Sequence, residues 1–179
     1  LLSEIPMLAQ PELIQVEKDK LEINPDFDFR EIATRPWESF TPNELAMFKW
    51  SGIYQQLQGQ FFMIRIVTPG GRMTVRQFRT ALDLAEHYAQ GQICITTRQT
   101  LQYHWVRKED LYKIIEGLAH VGLTTKNGCG DVCRNVVTCS LQGVCPHEVG
   151  NDVRRLVDAI ATDPEIQVQQ RNLPRKHKV

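Results

Sequence analysis

The sequence predicts an α+β fold in which helices cover one side of an antiparallel sheet, and three observations carry this expectation. Residues 98–105 alternate strictly, with Leu101, Tyr103 and Trp105 on one side and Arg98, Thr100, Gln102 and His104 on the other, the period of a half-covered strand. Residues 60–68 form a nearly continuous apolar run closed by Pro69-Gly70-Gly71, which reads as a central strand ending in a turn. Two segments, Thr41-Pro42-Asn43-Glu44 and Thr74-Val75-Arg76-Gln77, open with a capping hydroxyl and place Glu or Gln three residues on, the signature of a helix start.

Taken in order, residues 1 to about 40 are rich in Pro, Asp and Glu and lack sustained periodicity. They read as an arm that wraps a larger body, with Phe27, Phe29, Trp37 and Phe40 as anchors. The first capped helix is expected from Leu45 to about Gln56, leading into the central strand. The second runs to about Gln90, stops at Gly91 and places Val75, Phe78, Leu82 and Ala85 on one face. Strands follow at 92–96 and 99–107. A last helix spans Glu109 to Val121, with Leu111, Ile114, Ile115 and Leu118 inward and Gly122 ending it. The order strand, helix, strand, strand, helix is most of a ferredoxin-like split unit.

With 179 residues and 42% hydrophobic content, the chain is long enough for one ordinary domain and part of a second. Twenty-one basic and twenty-one acidic residues balance, so nothing global favours nucleic acid or an anionic membrane, and anion chemistry must come from local clustering. No apolar run is long enough to cross a bilayer, and the first residues lack the layout of a secretion signal, so a soluble cytoplasmic protein is expected. The start without Met and the closing run Leu173-Pro174-Arg175-Lys176-His177-Lys178-Val179 read as a cut from something longer. Five cysteines, four of them at 129, 133, 139 and 145, point to thiols or metal ligands instead of structural disulfides.

Chemistry concentrates on a few side chains. The polar side of residues 98–104 offers a cation, hydrogen-bonding groups and an imidazole in a row, which suits a flat ligand with several carboxylates; an ordinary solvated strand face is the alternative. Arg65 interrupts an apolar strand, and an unpaired buried guanidinium costs several kcal/mol, roughly, so it requires an anion or a structural carboxylate partner. Arg134 sits in the Gly-rich stretch Gly128-Cys129-Gly130-Asp131-Val132-Cys133-Arg134-Asn135-Val136-Val137, where pairing with Asp131 is the structural alternative.

Phe62-Met63-Ile64-Arg65 with Pro69-Gly70-Gly71, Thr96-Thr97-Arg98-Gln99-Thr100-Leu101-Gln102, Gly122-Leu123-Thr124, Arg134-Asn135-Val136 and Cys145-Pro146-His147-Glu148 occur in an order that resembles the amino-terminal half of the sulfite and nitrite reductase family, from about Trp50 to Val179. The resemblance implies siroheme and a 4Fe-4S cluster, and six-electron reduction of sulfite to sulfide or nitrite to ammonia. It implies that Arg65 and Arg134 hold the substrate anion, and that Thr96, Thr97, Arg98, Gln102 and His104 bind siroheme carboxylates. The implied partners are an electron donor such as ferredoxin or a flavoprotein and the carboxy-terminal half of the same enzyme. The implied organisation is an arm and the start of the first helix at 1–49, a ferredoxin-like half domain at 50–125 and the beginning of the siroheme-binding catalytic domain at 126–179.

The family's cluster ligands, a Cys-x5-Cys and a Cys-x3-Cys pair, belong to the half that follows, so no metal ligand is assigned here and the fragment alone is expected to be inactive. Cys129, Cys133 and Cys139 mimic those spacings but share one cysteine; thiols near a cofactor pocket or an additional metal site are both open. Two rival readings remain: a precorrin-modifying or dissimilatory relative, and a stand-alone ferredoxin-like module that binds a tetrapyrrole or docks a redox partner without catalysis.

Overall fold

A computed structural model describes residues 26–128, 133–142, 145–146 and 153–164. Asp28 caps the short helix α1 (Phe29–Thr34) by accepting from the Arg30 and Glu31 amides. Thr41 does the same for α2 (Pro42–Met47), accepting from Glu44 N at 3.2 Å. The chain then tightens into a 3-10 turn (Phe48–Ser51) and is stopped by Gly52 at φ 77°. The long helix expected to reach Gln56 is therefore corrected. Its last residues form a strand, β1 (Ile53–Gln55), because the left-handed Gly52 redirects the backbone onto the edge of the sheet.

The remaining elements are β2 (Phe61–Ile66), α3 (Val75–Tyr88), β3 (Cys94–Ile95), β4 (Leu101–Arg107), α4 (Leu111–Ala119) and α5 (Val153–Thr162). The sheet is antiparallel in the order β1-β2-β4-β3, so β2 is central, as its apolar run predicts. Phe62, Ile64 and Ile66 of β2 and Leu101, Tyr103 and Val106 of β4 are buried in one core with Phe29, Ile32, Phe40 and Phe48. Trp37 stacks on Phe62 at 5.4 Å, and Phe48 meets Phe27 edge-on at 4.8 Å, so the anchors of residues 26–40 join the core of the sheet. The α+β class and the antiparallel sheet with helices on one side are as the sequence predicts.

Two faces differ from expectation. Of the face expected on α3, Val75, Phe78 and Leu82 are exposed and only Ala85 is covered, within a seam of Ala81, Ala85 and Ala89 with Leu84 and Tyr88 beside it. The helices pack closely there: a Cβ on Gly117 of α4 would come within 2.9 Å of Leu84 Cδ2, so the glycine makes room for Leu84 and the alanines line the rest of the seam. On β4, Trp105 takes φ 62° and turns outward while Val106 turns in. The pairs Phe62↔Val106 and Ile64↔Tyr103 show why: β4 carries one extra residue there, a bulge that resets the alternation. Thr100 likewise leaves the polar row and is buried, its hydroxyl 2.5 Å from that of Thr96.

Candidate functional site

The face of the sheet away from the helices carries a row of polar side chains. Arg65 projects there from β2, and its Nη2 donates to Gln102 Oε1 at 3.2 Å across the β2–β4 pair. Gln102 Nε2 lies 2.8 Å from His104 Nε2, and His104 Nδ1 lies 3.4 Å from Gln56 Nε2. Gln56 Oε1 accepts from the backbone N of Trp105 at 2.7 Å and so holds the bulge. Among the described residues no carboxylate reaches Arg65, and its Nε is buried without a hydrogen-bond partner, so the structural ion pair weighed for this residue is not what holds it. An open groove of about 360 Å³ lies over Arg65, His104, Gln56, Met63 and Tyr54.

Residues 96–100 make a tight hairpin turn. Thr96 N donates to Thr100 O at 2.9 Å, Gln99 N to Thr96 O at 3.0 Å, and Gln99 takes φ 55°. The Thr96 hydroxyl is engaged inside this turn, accepting from the amides of Arg98 and Thr100 at 3.3 and 3.2 Å, while Thr97 is exposed at the tip. Arg98 therefore belongs to the turn and not to the strand face with Gln102 and His104. Its Nη2 donates to Asn135 O at 2.8 Å.

Residues 133–138 brace this corner. Asn135, buried, accepts from Thr68 N at 3.0 Å and donates to Arg98 O at 2.8 Å. Gln99 clasps Thr138 in both directions, donating to its O at 2.6 Å and accepting from its N at 3.1 Å, and Gly70 N donates to Val136 O at 2.9 Å. These contacts bring Arg134 beside Arg98. Burial first, then the charge of Arg134 and that of Arg65, push the Arg98 guanidinium below its ordinary pKa, partly offset by Cys133. The charges of Arg65 and Arg134 both bear on Arg98, so positive charge gathers on this side of the sheet.

The backbone of Arg65 is itself tightly held. Its N donates to Gly52 O at 2.8 Å, and a Cβ on Gly128 would lie 2.6 Å from its O. Sequence reasoning passed over Gln56, Gln99 and Asn135; Asn135 and Gln99 stood inside quoted motifs, but nothing in spacing signals a side chain that bonds another segment's backbone.

Cys133 is buried, Cys94 and Cys139 are exposed, and Cys145 is intermediate; all are free thiols. Cys129, Asp131, His147, Glu148 and the closing basic run lie outside the described residues. Among the described residues no group of three His, Cys, Asp or Glu is placed to hold a metal ion, and no helix is long and apolar enough to cross a membrane.

Residues 54–121 match the family model of the nitrite/sulfite reductase ferredoxin-like half domain. The chain is 33% identical over 144 residues to an assimilatory ferredoxin-dependent nitrite reductase of Haloferax mediterranei, covering 74% of this chain and 24% of that protein. It is 47% identical over 120 residues to a sulfite reductase [NADPH] hemoprotein beta-component of Chromohalobacter salexigens, covering 59% of this chain and 21% of the relative. The solved structure of the Mycobacterium tuberculosis NirA protein superposes with a TM-score of 0.81 at 29% identity, covering 92% of this chain and 34% of that one. The chain thus spans about a quarter of the length of these curated relatives.

Proposed function

We propose, for a chain that belongs to the nitrite and sulfite reductase family and carries its ferredoxin-like half domain, that it forms the anion-binding and cofactor-rim portion of a cytoplasmic siroheme-dependent reductase of sulfite or nitrite. The observation that carries this reading is the buried Arg65 Nε, left without a partner on the polar face of the sheet; the charges of Arg65 and Arg134 on Arg98 support it. An unpaired buried donor on a cation fits a ligand rich in acceptor oxygens, so the residues present fit both a polycarboxylate cofactor and a small oxyanion. Arg98, Gln102 and His104 would hold siroheme carboxylates, and the Thr96 hydroxyl contributes by fixing the turn that aims Arg98. Thr97, exposed at the hairpin tip, would add a hydroxyl to a carboxylate at the rim.

Arg65 and Arg134 would bind the substrate oxyanion through charge-assisted hydrogen bonds, and their positive charge offsets the negative charge that accumulates as electrons arrive. Siroheme, when bound, supplies the iron at which the oxyanion is reduced. The 4Fe-4S cluster would be held by cysteines in the half that follows in the family, with ferredoxin or a flavoprotein as donor. The free thiols suit a reducing compartment.

The test is Arg134→Ala in the reductase that contains this chain. Losing one charge-assisted pair, about 1.5–3 kcal/mol, is expected to weaken substrate binding by roughly 10- to 100-fold while leaving the siroheme absorption in place. Unchanged turnover and unchanged KM for both sulfite and nitrite would remove Arg134 from the substrate site, and comparing the two oxyanions in the parent enzyme identifies the substrate.

A further inference from the structure

The polar row over the sheet cannot satisfy itself. At one end Arg65 Nη2 is a donor and occupies Gln102 Oε1. At the other end the Trp105 backbone N–H is a donor and occupies Gln56 Oε1. Each glutamine therefore turns its amide nitrogen, also a donor, toward His104, one from each side. A neutral imidazole has one acceptor nitrogen, and an imidazolium has none, so one of the two contacts must set a donor against a donor.

The distances say which. Gln102 Nε2 to His104 Nε2 is 2.8 Å, a hydrogen bond that assigns the lone pair to Nε2 and the proton to Nδ1. Gln56 Nε2 to His104 Nδ1 is 3.4 Å, the length of two donors held apart. Flipping either amide moves the conflict without removing it, onto Arg65 or onto the Trp105 N–H. One hydrogen of the Gln56 amide has a distant acceptor in Gln58 Oε1 at 3.4 Å; the other faces His104 Nδ1.

Two donors facing each other across an open groove call for one acceptor oxygen between them. The groove lining includes Arg65, whose buried Nε is a further donor without a partner, and no carboxylate. Beside the Arg65 cation an anionic oxygen fits this place best. We propose that Gln56 and His104, the latter as its Nδ1–H tautomer, jointly grip one carboxylate oxygen of a ligand lying over Arg65 and Met63, which makes Gln56 a ligand-binding residue. The source of that carboxylate, a siroheme side chain, rests on the function proposed above; the donor pair does not.

The decisive variant is Gln56→Glu. It keeps an oxygen for the Trp105 N–H, so the bulge survives, and presents a second oxygen to His104 Nδ1–H, satisfying the row from within. The expected result has opposite signs: a melting temperature of the chain raised by about 2–4 °C, and siroheme affinity of the reductase that contains it, read by absorption titration, weakened about tenfold or more. A residue that only supports the sheet would move both in the same direction or neither. In parallel, nitrogen-15 spectra of the ligand-free chain, with His104 assigned by its Gln variant, should show the Nδ1–H tautomer.

An Nε2–H tautomer, or a Gln56→Glu chain that melts lower, overturns the donor pair. Equal siroheme affinity in the two reductases assigns the acceptor to water and overturns the carboxylate. Should the reductase that contains this chain bind no siroheme, the cofactor reading fails and the siroheme source fails with it, while the tautomer and the melting shift still judge the donor pair.

Discussion

Asn135 ties three segments together, and replacing it with Ala should loosen them by a calculable amount. Its Oδ1 is the acceptor for Thr68 N at 3.0 Å, and Thr68 is 1% exposed, so water cannot take the place of the lost oxygen. A buried N–H left without a partner costs about 1–3 kcal/mol. Its Nδ2 also donates to Arg98 O at 2.8 Å, and Arg98 is only half-buried, so losing that bond costs the smaller net value of about 1 kcal/mol. The sum is about 2–4 kcal/mol, or roughly 30- to 1,000-fold in a local equilibrium constant.

Native-state hydrogen exchange reads this directly at two amides, Thr68 N–H and Gly70 N–H, the second of which donates to Val136 O at 2.9 Å. Both should lose protection by that factor, while Ala89 N–H, bonded to Ala85 O at 2.8 Å inside the helix seam, should follow only any change in global stability. Asn135→Asp, which keeps the acceptor and loses the donor, should fall between wild type and Ala. Less than a threefold change at both reporter amides would refute the clamp and, with it, the account of how Arg134 is brought beside Arg98.

Two further expectations follow from packing and burial. Gly128→Ala puts a Cβ 2.6 Å from Arg65 O and 2.9 Å from Thr125 O, both backbone atoms that cannot swing aside, so urea unfolding should show a loss of about 1–3 kcal/mol, whereas Gly122→Ala, with nothing within 4 Å, should cost only the strain of its φ of 72°, about 1 kcal/mol. Tyr103 donates to Ala81 O at 2.6 Å from a fully buried position, and burial pushes its phenol well above the ordinary value of 10.0. With the folded pKa raised, the unfolded chain releases its proton first, so stability should fall as pH rises above about 10, and Tyr103→Phe should flatten that decline in denaturation curves measured across alkaline pH.

Local signals found the parts of the fold that local signals determine. Thr41 and Thr74 cap the helices they were read to cap, and the run ending at Pro69-Gly70-Gly71 is the central strand. The misses are all cases in which a distant partner decides. β1 exists because Gly52 turns the chain onto β2, and three apolar-polar residues following a helix carry no strand signal of their own. Trp105 faces outward because β4 has one residue more than its partner, a count that no single strand contains. The covered face of α3 is a row of alanines, and periodicity weighted by large side chains chose the wrong side.

The geometry of the candidate site was legible only in part. Arg65, Gln102 and His104 share a face and the charge of Arg134 bears on Arg98, but Thr96 is consumed by its own turn. The braces at Asn135 and Gln99 were hidden because each bonds backbone from another segment.

The aromatic cluster beneath the sheet bears on where this protein can be cut. The segment shared with the family model starts at residue 54 and ends at 121, yet the underside of Phe62 is roofed by Trp37 and Phe48, and Phe29, Ile32 and Phe40 complete the same core. Leu123 closes it from beyond the other boundary, and Thr124 bridges to Val67. The segment of the family model is thus smaller than the core that packs around it. A fragment trimmed to residues 54–121 would bare the aromatic underside of its own sheet, and the shortest piece worth expressing begins ahead of Phe27.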